Sequence, residues 1–159
     1  MTIGGQFKIE GIAEIERELK RIETRGGDLA RAHQNIGAVL ESRVNQRFDA
    51  KTDPTGAVWV PHKASTRARY DRGDTNKRGK LKRRGTLLRR TGLMLDSLSY
   101  AADAHSVSVG FGRPYALYIE TGTRSMARRG MLMGDPLSGR LSNDDADAVL
   151  DLLMRHFET

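Results

Sequence analysis

Apolar positions recur at helical spacing near both ends of the chain and at strand spacing in its middle. Phe7 to Glu10 reads as a short strand, and Ile12, Ile15, Leu19 and Ile22 then follow at 3, 4, 3, predicting a helix to about Thr24. Gly26-Gly27 break it, and Asp28 is placed to cap a second helix. Its stripe of Leu29, Ala32, Ile36, Val39, Leu40, Val44 and Phe48 would run for about 30 Å. His33 lies beside the stripe with no second ligand one turn away, so it reads as a helix-surface residue. Asp53-Pro54-Thr55-Gly56 has the residues of a type I turn, ending that helix. The single Trp, Trp59, stands between Val58 and Val60 and reads as a packing anchor. Ser65 and Thr66 suit the cap of a short basic helix to about Tyr70.

Beyond Leu87-Leu88, Thr91 is placed to cap a helical turn bearing Leu93, Met94, Leu95 and Leu98. Tyr100 and Ala102, then Val107, Val109 and Phe111, alternate with polar residues, which predicts two strands joined by a hairpin loop at Asp103 to Ser106. Pro114 opens and Gly122 closes a short helix carrying Tyr115, Leu117, Tyr118 and Ile119, apolar enough to be expected in the interior. Thr123 to Leu141, with Arg124, Arg128, Arg129 and Arg140 among glycines and a proline, reads as a second mobile arm. Ser142 and Asp145 form a box-like start to a last helix, Asp144 favours its positive end, and Ala146, Val149, Leu150, Leu153, Met154 and Phe157 share a face. The fold class is α+β: long N-terminal and C-terminal amphipathic helices packed on a small antiparallel β-sheet, with two extended basic loops. One domain over residues 1–159 is expected. Its core would comprise 7–65, 87–122 and the helix 142–158, with a basic arm at 66–86 and a second loop at 123–141.

Composition changes this picture in two ways. A chain of 159 residues has room for a real core without metal or disulfides, and with 0 Cys both disulfide and thiolate chemistry are excluded. Its apolar fraction of 38% is below the globular norm of about 45–50%, so the core should be modest. No apolar run approaches the ~18 residues of a membrane span, and Met1 to Gln6 lacks the pattern of a signal peptide, so a soluble protein without a membrane partner is expected.

The net charge of +7 is local. Residues 66–90 hold 11 basic side chains and 2 acidic ones, a net of +9, leaving the rest at −2. Arg67, Arg69, Lys80, Lys82, Arg83, Arg84, Arg89 and Arg90, with Arg128 and Arg129 of the second loop, are therefore the candidate contacts to a partner or another subunit. From Asp71 to Gly85 only Leu81 is large and apolar, too little to order the stretch by burial. So dense a block suits phosphates or an acidic protein surface. Within it only Tyr70 offers a ring on which a base could stack.

No catalytic constellation accompanies the charge. His33, His62, His105 and His156 never pair at ligand spacing, there is no phosphate-binding glycine loop or nucleophile elbow, and Gly110-Phe111-Gly112 is better read as a strand-end turn. Asp144, Asp145 and Asp147 offer a conceivable metal set, but the first turn of a helix accounts for them. No enzyme and no cofactor are expected.

Three stretches in order carry a resemblance. They are Arg47-Phe48 with Asp53-Pro54-Thr55-Gly56-Ala57-Val58-Trp59; Leu87-Leu88-Arg89-Arg90-Thr91-Gly92-Leu93 with Asp96-Ser97-Leu98; and Val109-Gly110 with Pro114-Tyr115-Ala116 and Glu120-Thr121-Gly122. Together, from about Ala38 to the last helix, they resemble the phage virion morphogenesis family, the tail completion proteins of Mu-like and P2-like tailed phages. Where that family tends to carry a Pro-Ala-Arg-Pro-Phe-Leu-Gly stretch, this chain reads Met126-Ala127-Arg128-Arg129-Gly130-Met131-Leu132-Met133-Gly134, lacking both prolines. The resemblance implies a structural virion protein at the head-tail junction, assembled in the host cytoplasm. It implies partners too: itself, in a ring of about six or twelve copies, and neighbouring neck, portal-side or tail-tube proteins. DNA passing through the neck is a further candidate contact. The alternative is a non-enzymatic DNA-binding protein using 66–90, and a toxin-like or regulatory basic protein of a phage is a third reading.

Overall fold

The computed structural model describes residues 29–75, 78–79, 81–83 and 85–158. The expected strand at Phe7 to Glu10, the helix to Thr24 and the cap at Asp28 lie outside the described residues.

Helix α1 (Ala30–Ala50) follows the predicted stripe: Ala32, Ile36, Val44 and Phe48 are buried. Lys51 closes it in the left-handed conformation at φ 57°, its N–H reaching back to Arg47 O. The chain then reverses at Asp53, whose carbonyl accepts from Gly56 N at 3.0 Å. Asp53 Oδ1 accepts from the amides of Thr55 and Ala57 and from the Thr55 hydroxyl, tying the turn together. Burial alone would raise the Asp53 carboxyl, but these hydrogen bonds and the charge of Arg128 hold it below the ordinary aspartate value. The turn carries Trp59 back onto the helix, edge-on to Phe48 at 5.2 Å, with Nε1 donating to Gly130 O at 2.8 Å. The lone Trp is thus the anchor its surroundings predicted.

The basic stretch differs from the expected extended loop. Helix α2 (Ala64–Arg72) runs two residues past Tyr70, and strands β1 (Asp74–Thr75) and β2 (Leu81–Arg83) pair antiparallel with Asp74 opposite Arg83. The argument from low apolar content fails here because a helix and paired strands satisfy their backbone hydrogen bonds locally, whatever the apolar content. Burial is indeed scarce: no residue of α2 is buried.

Leu87-Leu88 form a tight turn between Thr86 and Arg89, with Leu88 at φ 59°. Beyond it the predicted helical turn is only a 3-10 segment, Leu95–Ser97, and Leu98 is already extended at ψ 131°, the first residue of β3 (Leu98–Ala102). Strand β4 (Val107–Phe111) pairs with it antiparallel, Leu98 facing Phe111 and Ala102 facing Val107. The loop closes as predicted, Asp103 Oδ1 accepting from the amides of His105 and Ser106 at 2.7 Å. Helix α1 lies across both strands. The approach is close at Gly37, where a Cβ would overlap the Tyr100 ring. His33, on the same helix, donates from Nδ1 to Asp103 O at 2.7 Å.

Helix α3 (Tyr115–Thr121) corrects a second expectation. Ala116 and Glu120 are buried, but Tyr115, Leu117 and Tyr118 face outward, the latter two each 58% exposed. Helix α4 (Asn143–Glu158) begins as predicted, Ser142 Oγ accepting from Asp145 N at 3.3 Å. The architecture is α+β, with helices around a two-stranded antiparallel sheet and Phe48, Trp59, Met94, Leu98 and Met131 at its centre.

Candidate functional site

The segment between α3 and α4, expected as a mobile arm, is pinned inward. Met131 is fully buried in the core. Glu120, 3% exposed, accepts three consecutive amides: Met131 and Leu132 at Oε2, at 2.7 and 3.0 Å, and Met133 at Oε1, at 2.9 Å. A carboxylate can do this because it is an acceptor with several lone pairs and no donor to clash with N–H groups. Arg128 adds a clamp, donating to the carbonyls of Glu120 and Met133. Arg129 donates to Val60 O at 2.7 Å and Pro61 O at 3.3 Å and is itself buried. Arg128 and Arg129, grouped above with the partner contacts, thus have their guanidinium groups committed inside the fold. With both prolines absent, these polar anchors fix the loop's path.

A second anchor joins the two long helices. Arg47 donates two bonds of 2.5 Å to the Asp145 carboxylate and a third, of 3.0 Å, to Met131 O, while Arg43 reaches Asp145 at 3.2 Å. Asp145 is completely buried. The three aspartates weighed as a metal set are therefore split, Asp145 facing inward and Asp144 and Asp147 facing solvent. In the sequence Asp145 reads as a helix-start residue or a member of that metal set, and Arg47 as part of a motif. A signal existed, since Arg47 falls three residues after Val44 on the apolar stripe and Asp145 four before Val149 on another. A charge on each of two apolar faces requires a partner.

Of the basic residues, Arg67 and Arg69 stand exposed on α2. Arg89 is drawn onto the body, 2.9 Å from Asp49 and over the Phe48 ring at 5.9 Å. Arg90 is exposed, and Lys82 and Arg83 lie in β2. Lys80 and Arg84 lie outside the described residues. Between α2, the Leu88–Gly92 turn and the segment after α3 lies a cleft of about 560 Å³, lined by His62, Tyr70, Leu88, Met94, Tyr115 and Ile119 among others. Its floor is apolar and its rim cationic through Lys63 and Arg90. The His62 ring packs at a tilt against Tyr70, centroids 4.8 Å apart, and its Nε2 is buried without a hydrogen-bond partner among the described residues. Burial, then the charges of Arg129 and Arg69, hold His62 below the ordinary histidine value.

Among the described residues no three histidine, aspartate or glutamate side chains converge to hold a metal ion, and no helix is long and apolar enough to cross a membrane. What the surface offers is contact area: the outward apolar side chains of α3, the Leu150–Met154 row of α4 and the exposed cations of α2. No curated protein and no solved structure matches the chain. The model of one family does match, over residues 11–158, spanning all three signature stretches and both buried anchors. The chain belongs to the phage virion morphogenesis family, and its role is a structural one in assembling the virion.

Proposed function

We propose that the protein works at the head-tail junction of a tailed phage, completing the tail and joining it to the head as one subunit of a ring of about six or twelve copies. The observation that carries this reading is family membership across residues 11–158. The surface agrees with it. A small body with polar anchors inside carries Tyr115, Leu117 and Tyr118 outward on one short helix, a use of large apolar side chains that suits burial by a neighbour. Neighbouring neck, portal-side or tail-tube proteins are the natural heterologous partners. Contacts repeated around a closed ring reinforce one another, so each can be modest.

Purified protein added to separated heads and tails, from a phage lacking it, should restore joined infectious particles. Failure to join, together with tight duplex binding that falls roughly 10³–10⁵-fold between about 50 and 200 mM salt, would instead assign the cations of 66–90 to DNA.

A further inference from the structure

Helix α4 presents a row that the described residues leave open. Leu150 and Met154, one turn apart, are 58% and 59% exposed. Beside them run Asp147 and Asp151, with Asp144 a turn earlier, all exposed and none in an ion pair among the described residues. At 1.5 Å per residue the three carboxylates span about 10 Å. The inner side of the helix already has its work, Asp145 holding Arg47 and Arg43.

Helix α2 is the complement. Thr66 and Tyr70 are half covered, and the face opposite them carries Ala64 and Ala68, also one turn apart. Asp71 and then Arg67 flank that pair on one side, Arg72 and, farther round, Arg69 on the other, the three arginines again with no ion pair among the described residues. The helix holds three arginines and one aspartate, whereas α4 holds five acids and one arginine.

We propose that α2 of one copy docks on α4 of the next, with Leu150 and Met154 seated over Ala64 and Ala68 and Arg69 and Arg72 facing Asp147 and Asp151. The proposal rests on the ring reading above and supplies its subunit contact. Both apolar pairs have the same one-turn spacing, so two large side chains meet two methyl groups in register, with opposite charges alongside. Because the two patches are different surfaces of one chain, each copy offers both. The contact is head-to-tail, closing into a ring where the rotation allows it, and not a self-complementary dimer. The apolar row supplies burial, and the charges select the partner and steer it.

The chain has 0 Cys, so Ala68→Cys and Leu150→Cys introduce the only thiols, both at exposed positions. Full-length protein with both substitutions should give, on oxidation, a ladder of disulfide-linked oligomers, and a mixture of the two single variants should give dimers alone. Arg69→Glu with Arg72→Glu should abolish the ladder, as should Asp147→Lys with Asp151→Lys. All four charge reversals in one chain should restore it, and circular dichroism checks that each variant is folded. Several outcomes overturn the contact: oligomers without the ladder, a ladder indifferent to charge reversal, an intramolecular disulfide, or preferential pairing of Leu150→Cys with Ile15→Cys. The last would mean that the chain's own N-terminal segment covers the row. In each of these cases oligomers seen by sedimentation leave the ring reading standing. A protein monomeric both alone and in the joined particle removes the ring, and the contact with it.

Discussion

Replacing Asp145 by Asn should be among the most damaging single changes available in this chain. The substitution keeps the shape of the side chain and removes its charge. Left behind is the Arg47 guanidinium, buried, with two 2.5 Å bonds to the lost carboxylate and one neutral bond to Met131 O remaining. Removing one partner of a buried pair costs about 3–5 kcal/mol, because the other charge stays desolvated and uncompensated. Arg43 adds little, since it is about one-third exposed and its contact is 3.2 Å. Against a total stability of about 5–15 kcal/mol, the loss is large enough to shift a urea midpoint by about a fifth of its value or more. Trp59 reports the transition, being buried against Phe48 in the native state and in water when unfolded. Replacing both members, Asp145→Asn with Arg47→Met, should recover a substantial part of the loss, as no isolated charge remains. A loss below about 1 kcal/mol for Asp145→Asn, or a double variant no better than the single, would refute the assignment of this pair as the clamp between α1 and α4.

Other expectations follow from the same structure. Glu120→Gln turns an NH₂ group toward amides that need an acceptor, so the 126–134 segment should loosen at a cost of about 1.5–3 kcal/mol; trypsin should then cut at Arg128 or Arg129, where the native protein resists. Gly37→Ala should displace the Tyr100 ring and cost about 1–3 kcal/mol, and adding Tyr100→Ala should relieve the overlap, as read by thermal unfolding. His62 is held below its ordinary value, so the unfolded chain takes up a proton more readily than the folded one. Its contribution is complete above about pH 6.5 and falls as pH drops toward the folded value. His62→Gln should flatten that decline in melting temperature, and an unchanged slope would assign it to other groups.

The elements legible in the sequence were those whose cause is local. The α1 stripe, the Asp53 turn, the Asp103 loop between β3 and β4 and the Ser142 cap each follow from residues a few positions apart, and the structure has them all. Where the sequence misled, the cause was distant in the chain. The segment after α3 reads as an arm by its glycines and arginines, yet Glu120 and the Val60 and Pro61 carbonyls hold it, the latter 68 residues or more away. Helix α3 reads as buried by composition, although composition alone does not say whether apolar side chains face their own core or a neighbour. Helix α2 is the short basic helix that Ser65 and Thr66 announce, carried two residues further; beyond it the stretch reads as formless for want of apolar residues, whereas β1 and β2 pair through their backbone. Of the candidate contacts, Arg67 and Arg69 stand exposed on α2, Arg89 and Arg129 bond within the fold, and charge alone did not separate them.

The central claim, a role in joining head to tail, is tested most directly by electron microscopy of a lysate from the parent phage with this gene disrupted. Filled heads and complete tails lying unattached, with joined particles restored by adding the purified protein, are the predicted result. Normal infectious particles in the absence of the protein would contradict the account.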